Sequence, residues 1–149
     1  MDLVIFTGLP GSGKSFFYRT HFEKTHLHVS KDLIPNTSNR DRKQQKLIEE
    51  ALSQGKSVVI DNTNPRVSDR APLIELGRRF QAKIIGYFFD CTTKECVERN
   101  RKREGKARVP DVAIYVASKR LQKPEFSEGF DQLFSVHLTP ALTFEVKPL

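Results

Sequence analysis

The chain has 149 residues, 38% of them hydrophobic and 29% charged, which suits one globular domain with one core. No apolar run approaches the roughly 20 residues that span a bilayer, and the start MDLVIFTG is acidic then apolar without a basic flank, so a cytoplasmic setting is expected. A formal net charge of +7 favours polyanionic partners, and nucleic acid, nucleotide and anionic membrane all satisfy that condition.

Apolar runs alternate with amphipathic segments from the first residues, the pattern of a parallel sheet covered by helices. LVIFTG predicts a buried strand, Lys14 to about Phe22 a first helix, and LHVS a short strand ending near Ser30. RKQQKLIEEALSQGK predicts a helix with Leu47, Ile48, Ala51 and Leu52 on one face and a stop at Gly55. SVVID and AKIIGYFFD are continuous apolar runs that end in Asp, as expected for strands buried on both faces. Between them Asn64 is placed to cap a helix beginning at Pro65, with Pro72 kinking it or shifting its start. Thr92 and Glu95 form a capping box for a helix to about Arg103. Pro110 opens a further helix, PDVAIYVASKRL, whose Val112, Tyr115 and Val116 are expected to face the core, and the tail predicts one more strand and an irregular end.

GLPGSGKS, at residues 8–15, satisfies G-x-x-x-x-G-K-[ST] between a strand and a helix. Gly8, Gly11 and Gly13 let the backbone curl so that amides, with Ser12 among them, face phosphate oxygens, and the helix N-terminus adds its positive end. Lys14 would reach the β- and γ-phosphates and Ser15 would ligate Mg²⁺, so ATP and Mg²⁺ are the expected cofactors. Switches and motors share this loop; a kinase also needs a carboxylate facing an acceptor hydroxyl and a basic cover for the transferred group.

Ligands of open α/β sheets bind beyond the carboxyl ends of the strands, where Asp32 and Asp61 lie. One can accept a proton from the attacking hydroxyl and the other can hold the Mg²⁺ shell, often through water. A helix cap for Asp32 and a turn in DNTNP for Asp61, Asn62 and Asn64 are the structural alternatives. RNRKREGKAR places Arg99, Arg101, Lys102, Arg103, Lys106 and Arg108 around Gly105; it reads as a hinged basic lid over residues 99–112, or as a solvated helix face. Arg40, Arg42 and Lys43 follow the Asp32 loop on the expected acceptor side and suit nucleic-acid backbone contact, or equally a solvated helix start. The two cysteines, Cys91 and Cys96, match no usual metal spacing and read as reduced thiols.

Taken together, GLPGSGKS, VSKD, VVIDNTNP, ERNRKREGKARVP and KPEFSEGF resemble, in order and approximate spacing from about Leu3 to Phe134, the kinase domain of polynucleotide 5′-hydroxyl kinases. That resemblance implies a single domain over 1–149 with the P-loop, nucleoside-monophosphate-kinase-like fold. Its form is a three-layer α/β/α sandwich with a parallel sheet of about five strands and a helical lid. It implies transfer of the γ-phosphate of MgATP to the 5′-hydroxyl of DNA or RNA, with nucleic-acid ends and ATP as partners and no membrane. Lys14 and Ser15 match the phosphate-loop residues, Asp32 the general base, Arg103 the lid arginine and Arg99 a position associated with the nucleotide. Asp61 and Asn62 match the active-site D-N-T-N segment; Asp32, Arg40, Asn62 and Asn64 are the expected acceptor contacts. The phage enzyme carries an arginine three residues after its aspartate, where this chain has Pro35. The chain lacks a D-x-D-x-[TV] phosphatase motif, so a separate phosphatase or ligase partner would supply further end-processing. The alternatives are a kinase of a small hydroxylated molecule, such as a nucleoside, sugar or antibiotic, and a nucleotide switch or ATPase without transfer.

Overall fold

The computed structural model describes residues 1–35 and 38–149. In chain order the elements are β1 (Asp2–Thr7), α1 (Lys14–His21), β2 (Leu27–Val29), α2 (Arg40–Ser53), β3 (Val58–Ile60), α3 (Val67–Arg79), β4 (Lys83–Phe89), α4 (Thr93–Arg101), α5 (Asp111–Arg120), β5 (Gln132–Leu138) and β6 (Phe144–Pro148). The sheet order is β2-β3-β1-β4-β5-β6. The first five strands are parallel, as expected; β6 pairs antiparallel with β5 and is a sixth strand where an irregular tail was expected. Its turn closes through Thr139 and Thr143, and Phe144 then packs on Phe17 at 4.9 Å.

Alternate residues of the central strands feed two cores. Leu3, Ile5 and Ile84 meet Ile48, Ala51 and Leu52 of α2 and Leu73, Ile74 and Leu76 of α3, whereas Val4, Phe6 and Ile85 meet Phe17 and Tyr18 of α1. Both faces of the sheet are therefore covered, which is why β1 and β4 read as unbroken apolar runs. A third cluster, with Leu9, Cys96, Val97 and Ile114, seats α4 and α5 beside the phosphate loop.

Three expectations change. In α5 it is Ile114 that is buried, with Ala117 and the following Leu121 partly so, while Val112, Tyr115 and Val116 are exposed. This helix carries two apolar stripes and packs mainly on α4, so only one stripe is covered. In α2, Leu47 is exposed and Gln44 takes the inward place, where it accepts a hydrogen bond from Asn62. The helix after DNTNP starts at Val67 with Arg66 as its cap, because Asp69 accepts from the Arg66 amide at 2.9 Å. The Pro65 carbonyl instead receives Gln122 and Arg70, and Pro72 stays inside the helix. Among the described residues no helix is long and apolar enough to cross a membrane.

Candidate active site

The phosphate loop leaves β1 at the centre of the sheet and enters α1 at Lys14, so the helix N-terminus points at the loop interior. Gly11 and Gly13 adopt φ of 84° and 98°, and a Cβ on Gly11 would lie 2.6 Å from the Cys96 carbonyl oxygen. Lys14 Nζ donates to the Gly8 and Leu9 carbonyls at 3.0 and 2.8 Å, curled into the space a phosphate would fill. Burial pushes the Lys14 ammonium below the ordinary lysine value, and Arg103 adds to that shift while Asp61 and Asp32 oppose it. Ser12 is buried with a hydroxyl that meets no partner among the described residues. A buried orphan hydroxyl and a half-buried cation on one loop suit a phosphate chain.

Asp61 follows β3 and is 4% exposed. Its Oδ2 accepts from Ser15 Oγ at 2.8 Å and contacts His28 Nε2 at 2.7 Å. With its hydrogen turned to Asp61, Ser15 keeps lone pairs for a cation, the Ser-plus-carboxylate set that P-loop proteins use for Mg²⁺. The residues present fit that ion.

A cleft of about 1140 Å³ runs from the loop between α2 and α3. It is lined by Gly11, Lys14, Ser15, Asp61 and Arg103 on the loop side, and by Asp32, Arg40, Asn62 and Asn64 on the other. Asp32 is held by a short turn in which Ser30 Oγ accepts from the Asp32 amide at 3.2 Å. Its carboxylate is exposed and has no hydrogen bond or ion pair among the described residues, which leaves it open to a substrate. Arg40 donates from Nη2 to the Lys31 carbonyl, and its buried Nε has no partner among the described residues. Asn62 accepts from the Lys31 amide at 2.9 Å and donates to Gln44, bracing the Asp32 turn against α2. Asn64, at φ 41°, donates to the Phe6 carbonyl at 2.8 Å, so its amide ties the loop to β1.

Gly8, Ser12 and Gly13 shape the loop behind the cleft. Arg99 also stands behind it: Nη2 donates to the Leu138 carbonyl at 2.7 Å and Nη1 to the Gly11 carbonyl at 3.4 Å, with Glu95 at 3.6 Å. That guanidinium links α4, the phosphate loop and the end of β5. Arg103 lines the cleft with only a 3.4 Å contact to the Ala107 carbonyl. The segment joining α4 to α5 is tethered at its base, where buried Asn100 exchanges hydrogen bonds with Val109 at 2.6 and 3.0 Å. Arg19, Lys31 and Arg120 line the cleft too, unanticipated from sequence. Arg19 follows Ser15 by four residues, one helical turn, and that spacing was its available signal.

The sequence profile of the family described as AAA domain matches residues 3–124. The chain belongs to the AAA domain family. A protein of Acanthamoeba polyphaga mimivirus, named as a bifunctional polynucleotide phosphatase/kinase, is 30% identical to this AAA domain over 142 residues, 91% of this chain and 33% of the relative. The bifunctional polynucleotide phosphatase/kinase of Schizosaccharomyces pombe is 29% identical over 139 residues, with 91% and 33% covered. The chain thus spans about a third of the length of these curated relatives. Among solved structures, a gluconokinase from Sinorhizobium meliloti matches with TM-score 0.66 and 20% identity over 91% of this chain and 81% of its own. A fungal RNA kinase matches with TM-score 0.67 and 18% identity over 93% and 38%. Both share the P-loop kinase fold, which therefore does not choose the acceptor.

Proposed function

We propose that this AAA domain is an ATP-dependent polynucleotide 5′-hydroxyl kinase. The observation that carries the reading is the Asp32 carboxylate, unpartnered among the described residues, which opens into the same cleft as Lys14 and Ser15, beside the cations Lys31 and Arg40. The two curated relatives, which bear polynucleotide phosphatase/kinase names, support the acceptor class.

In the proposed reaction Asp32 takes the proton of the 5′-hydroxyl as its oxygen bonds to the γ-phosphorus and the bond to the ADP oxygen breaks in line. Lys14 leaves the Gly8 and Leu9 carbonyls to hold the β- and γ-phosphate oxygens, and Ser12 and the loop amides complete their hydrogen bonds. Mg²⁺, held by Ser15 and through water by Asp61, would neutralise charge on those oxygens. Residues 99–112 form the lid, which swings about its Asn100–Val109 base so that Arg103 covers the transferred group. Arg99 contributes by bracing the phosphate loop. Asn62 and Asn64 act on the acceptor side by fixing the Asp32 turn and the D-N-T-N loop, and Arg40, which lines the cleft there, offers its positive charge to an acceptor phosphate.

The test is ATP labelled on the γ-phosphate, offered to 5′-hydroxyl DNA and RNA beside matched 5′-phosphate strands. Label is expected on the 5′-hydroxyl strands alone, and Asp32→Asn should bind ATP normally while turnover falls roughly 10²–10⁴-fold. Apparent strand affinity should fall with salt, log K changing with a slope of about −0.7 per phosphate neutralised on a single strand. Labelling of a sugar or nucleoside instead, insensitive to salt, would overturn the acceptor assignment. ADP and free phosphate whatever hydroxyl is offered would overturn the kinase reading.

A further inference from the structure

We propose that His28 is a positioning residue for Asp61, so that an imidazole on an edge strand sets the cation-holding geometry of the phosphate loop. The inference deepens the kinase reading and rests on it.

Asp61 Oδ2 is engaged by both Ser15 and His28, at 2.8 and 2.7 Å, whereas Oδ1 has no hydrogen-bond donor among the described residues. Two donors on one oxygen fix the carboxylate plane and leave the other oxygen for a water of the cation shell. Ser15 cannot do this alone: when its lone pairs serve a cation, its hydrogen is the only tie between α1 and β3 at this point, and the hydroxyl rotates freely about its own bond. The imidazole is a stiffer strut. His28 pairs in register with Val59 of β3, which puts its side chain beside the strand that delivers Asp61. Its ring stacks on Tyr18 of α1 with centroids 3.9 Å apart and planes at 15°, and Tyr18 in turn donates its hydroxyl to the His26 carbonyl at 2.6 Å. A closed circuit results: Ser15 to Asp61, Asp61 to His28, His28 to Tyr18, and Tyr18 back along α1 to Ser15, one turn away. The ring's position is thus set by stacking, independently of its bond to Asp61, and a bond from a pre-placed donor orients its acceptor. Groups that orient a cation's ligands from behind are worth roughly 10–100-fold in affinity or activity.

Two variants separate the bond from the ring. His28→Phe keeps an aromatic face for Tyr18 and removes the donor; His28→Gln places an amide N–H near the Nε2 position and removes the ring. The primary readout is equilibrium binding of a fluorescent ATP analogue with Mg²⁺ and with EDTA, which needs no acceptor. The expected result is that His28→Phe loses about 10–100-fold in the Mg²⁺ titration while affinity in EDTA is unchanged. His28→Gln should recover most of that loss, with both variants melting near the parent. Equal Mg²⁺ dependence in His28→Phe and the parent would overturn the inference while leaving the kinase reading intact. Equal losses in both variants with and without Mg²⁺ would also overturn it, by making the ring a packing element. A parent protein that binds no nucleotide would instead overturn the kinase reading, and the inference with it.

Discussion

Lys14 shows how one residue can be held in readiness at a cost to the empty protein. Its half-buried ammonium rests on two carbonyls, and desolvation lowers its pKa from the ordinary 10.5. A lowered folded-state value means that the unfolded chain holds the proton more tightly. This group therefore opposes folding at pH below its folded-state pKa, and that opposition fades as pH rises toward 10.5. Nucleotide binding has the opposite sign, because polyphosphate needs the charged form. Affinity for ATP is expected to fall as pH rises through the lowered pKa, before ordinary lysines titrate. Dissociation constants measured from neutral to alkaline pH would show it, and Lys14→Arg, which stays charged across that range, should bind more weakly but without that slope. A flat profile for the parent would disprove the assignment. Asp32 is the complement: a carboxylate with no partner among the described residues has its lone pairs open to a substrate, as a proton acceptor requires.

Among the elements, α4 carries more than its length suggests. Thr92 Oγ1 accepts from the Glu95 amide at 3.1 Å and Glu95 Oε1 accepts from the Thr92 amide at 3.3 Å, the reciprocal cap anticipated from T-x-x-E. Cys91 and Cys96 flank this cap at the places where a hydrophobic staple sits, which accounts for both thiols without a metal. Their contact has a chemical signature: the Cys96 thiol hydrogen-bonds to Cys91 and holds the Cys91 pKa below the usual thiol value, while Cys96 is pushed up. The same helix places Arg99 on the Gly11 and Leu138 carbonyls, so the cap fixes the start of the element that braces the phosphate loop. Thr92→Ala should cost about 1 kcal/mol in urea denaturation. A change of less than about a third of that would show that packing against α5, not the cap, holds this end.

At the scale of the molecule, the best-buried charge lies outside the cation circuit. Arg70 of α3 is fully buried and forms a paired fork with Glu128, at 2.8 and 3.1 Å, while Nη1 donates to the Asn64 and Pro65 carbonyls. One guanidinium thus links the D-N-T-N loop, α3 and the KPEFSEGF segment before β5. Arg70→Met leaves the buried Glu128 carboxylate without its countercharge, held only by the Glu125 amide at 2.9 Å, and should cost roughly 3–5 kcal/mol. Adding Glu128→Leu removes that penalty and should recover most of the stability. Nucleotide-dependent activity should not recover with it, because the Asn64 and Pro65 carbonyls still lack the guanidinium that ties them to α3. Denaturation and turnover measured on the same three proteins test both halves; full recovery of activity in the double variant would reduce the pair to a stability feature.

The sequence by itself determined the phosphate loop, the five parallel strands, the cap of α4 and the placing of Asp32 and Asp61 at strand ends. Each is written in a short stretch: glycine spacing, unbroken apolar runs, a Thr and a Glu three residues apart. Tertiary structure alone decided the rest. The stripe of α5 that is buried depends on a single neighbouring helix, and Val112, Tyr115 and Val116 lost to Ile114, Ala117 and Leu121 because local periodicity offered both. Whether Asn64 caps a helix or ties a loop depended on the Phe6 carbonyl and on Arg70, and the tail became β6 only because β5 presented an unpaired edge. His28 carried no signal of its own. Its meaning comes from a strand order that sets β2 beside β3 and α1 across them, and contacts between residues 33 positions apart are chosen by which elements pack together.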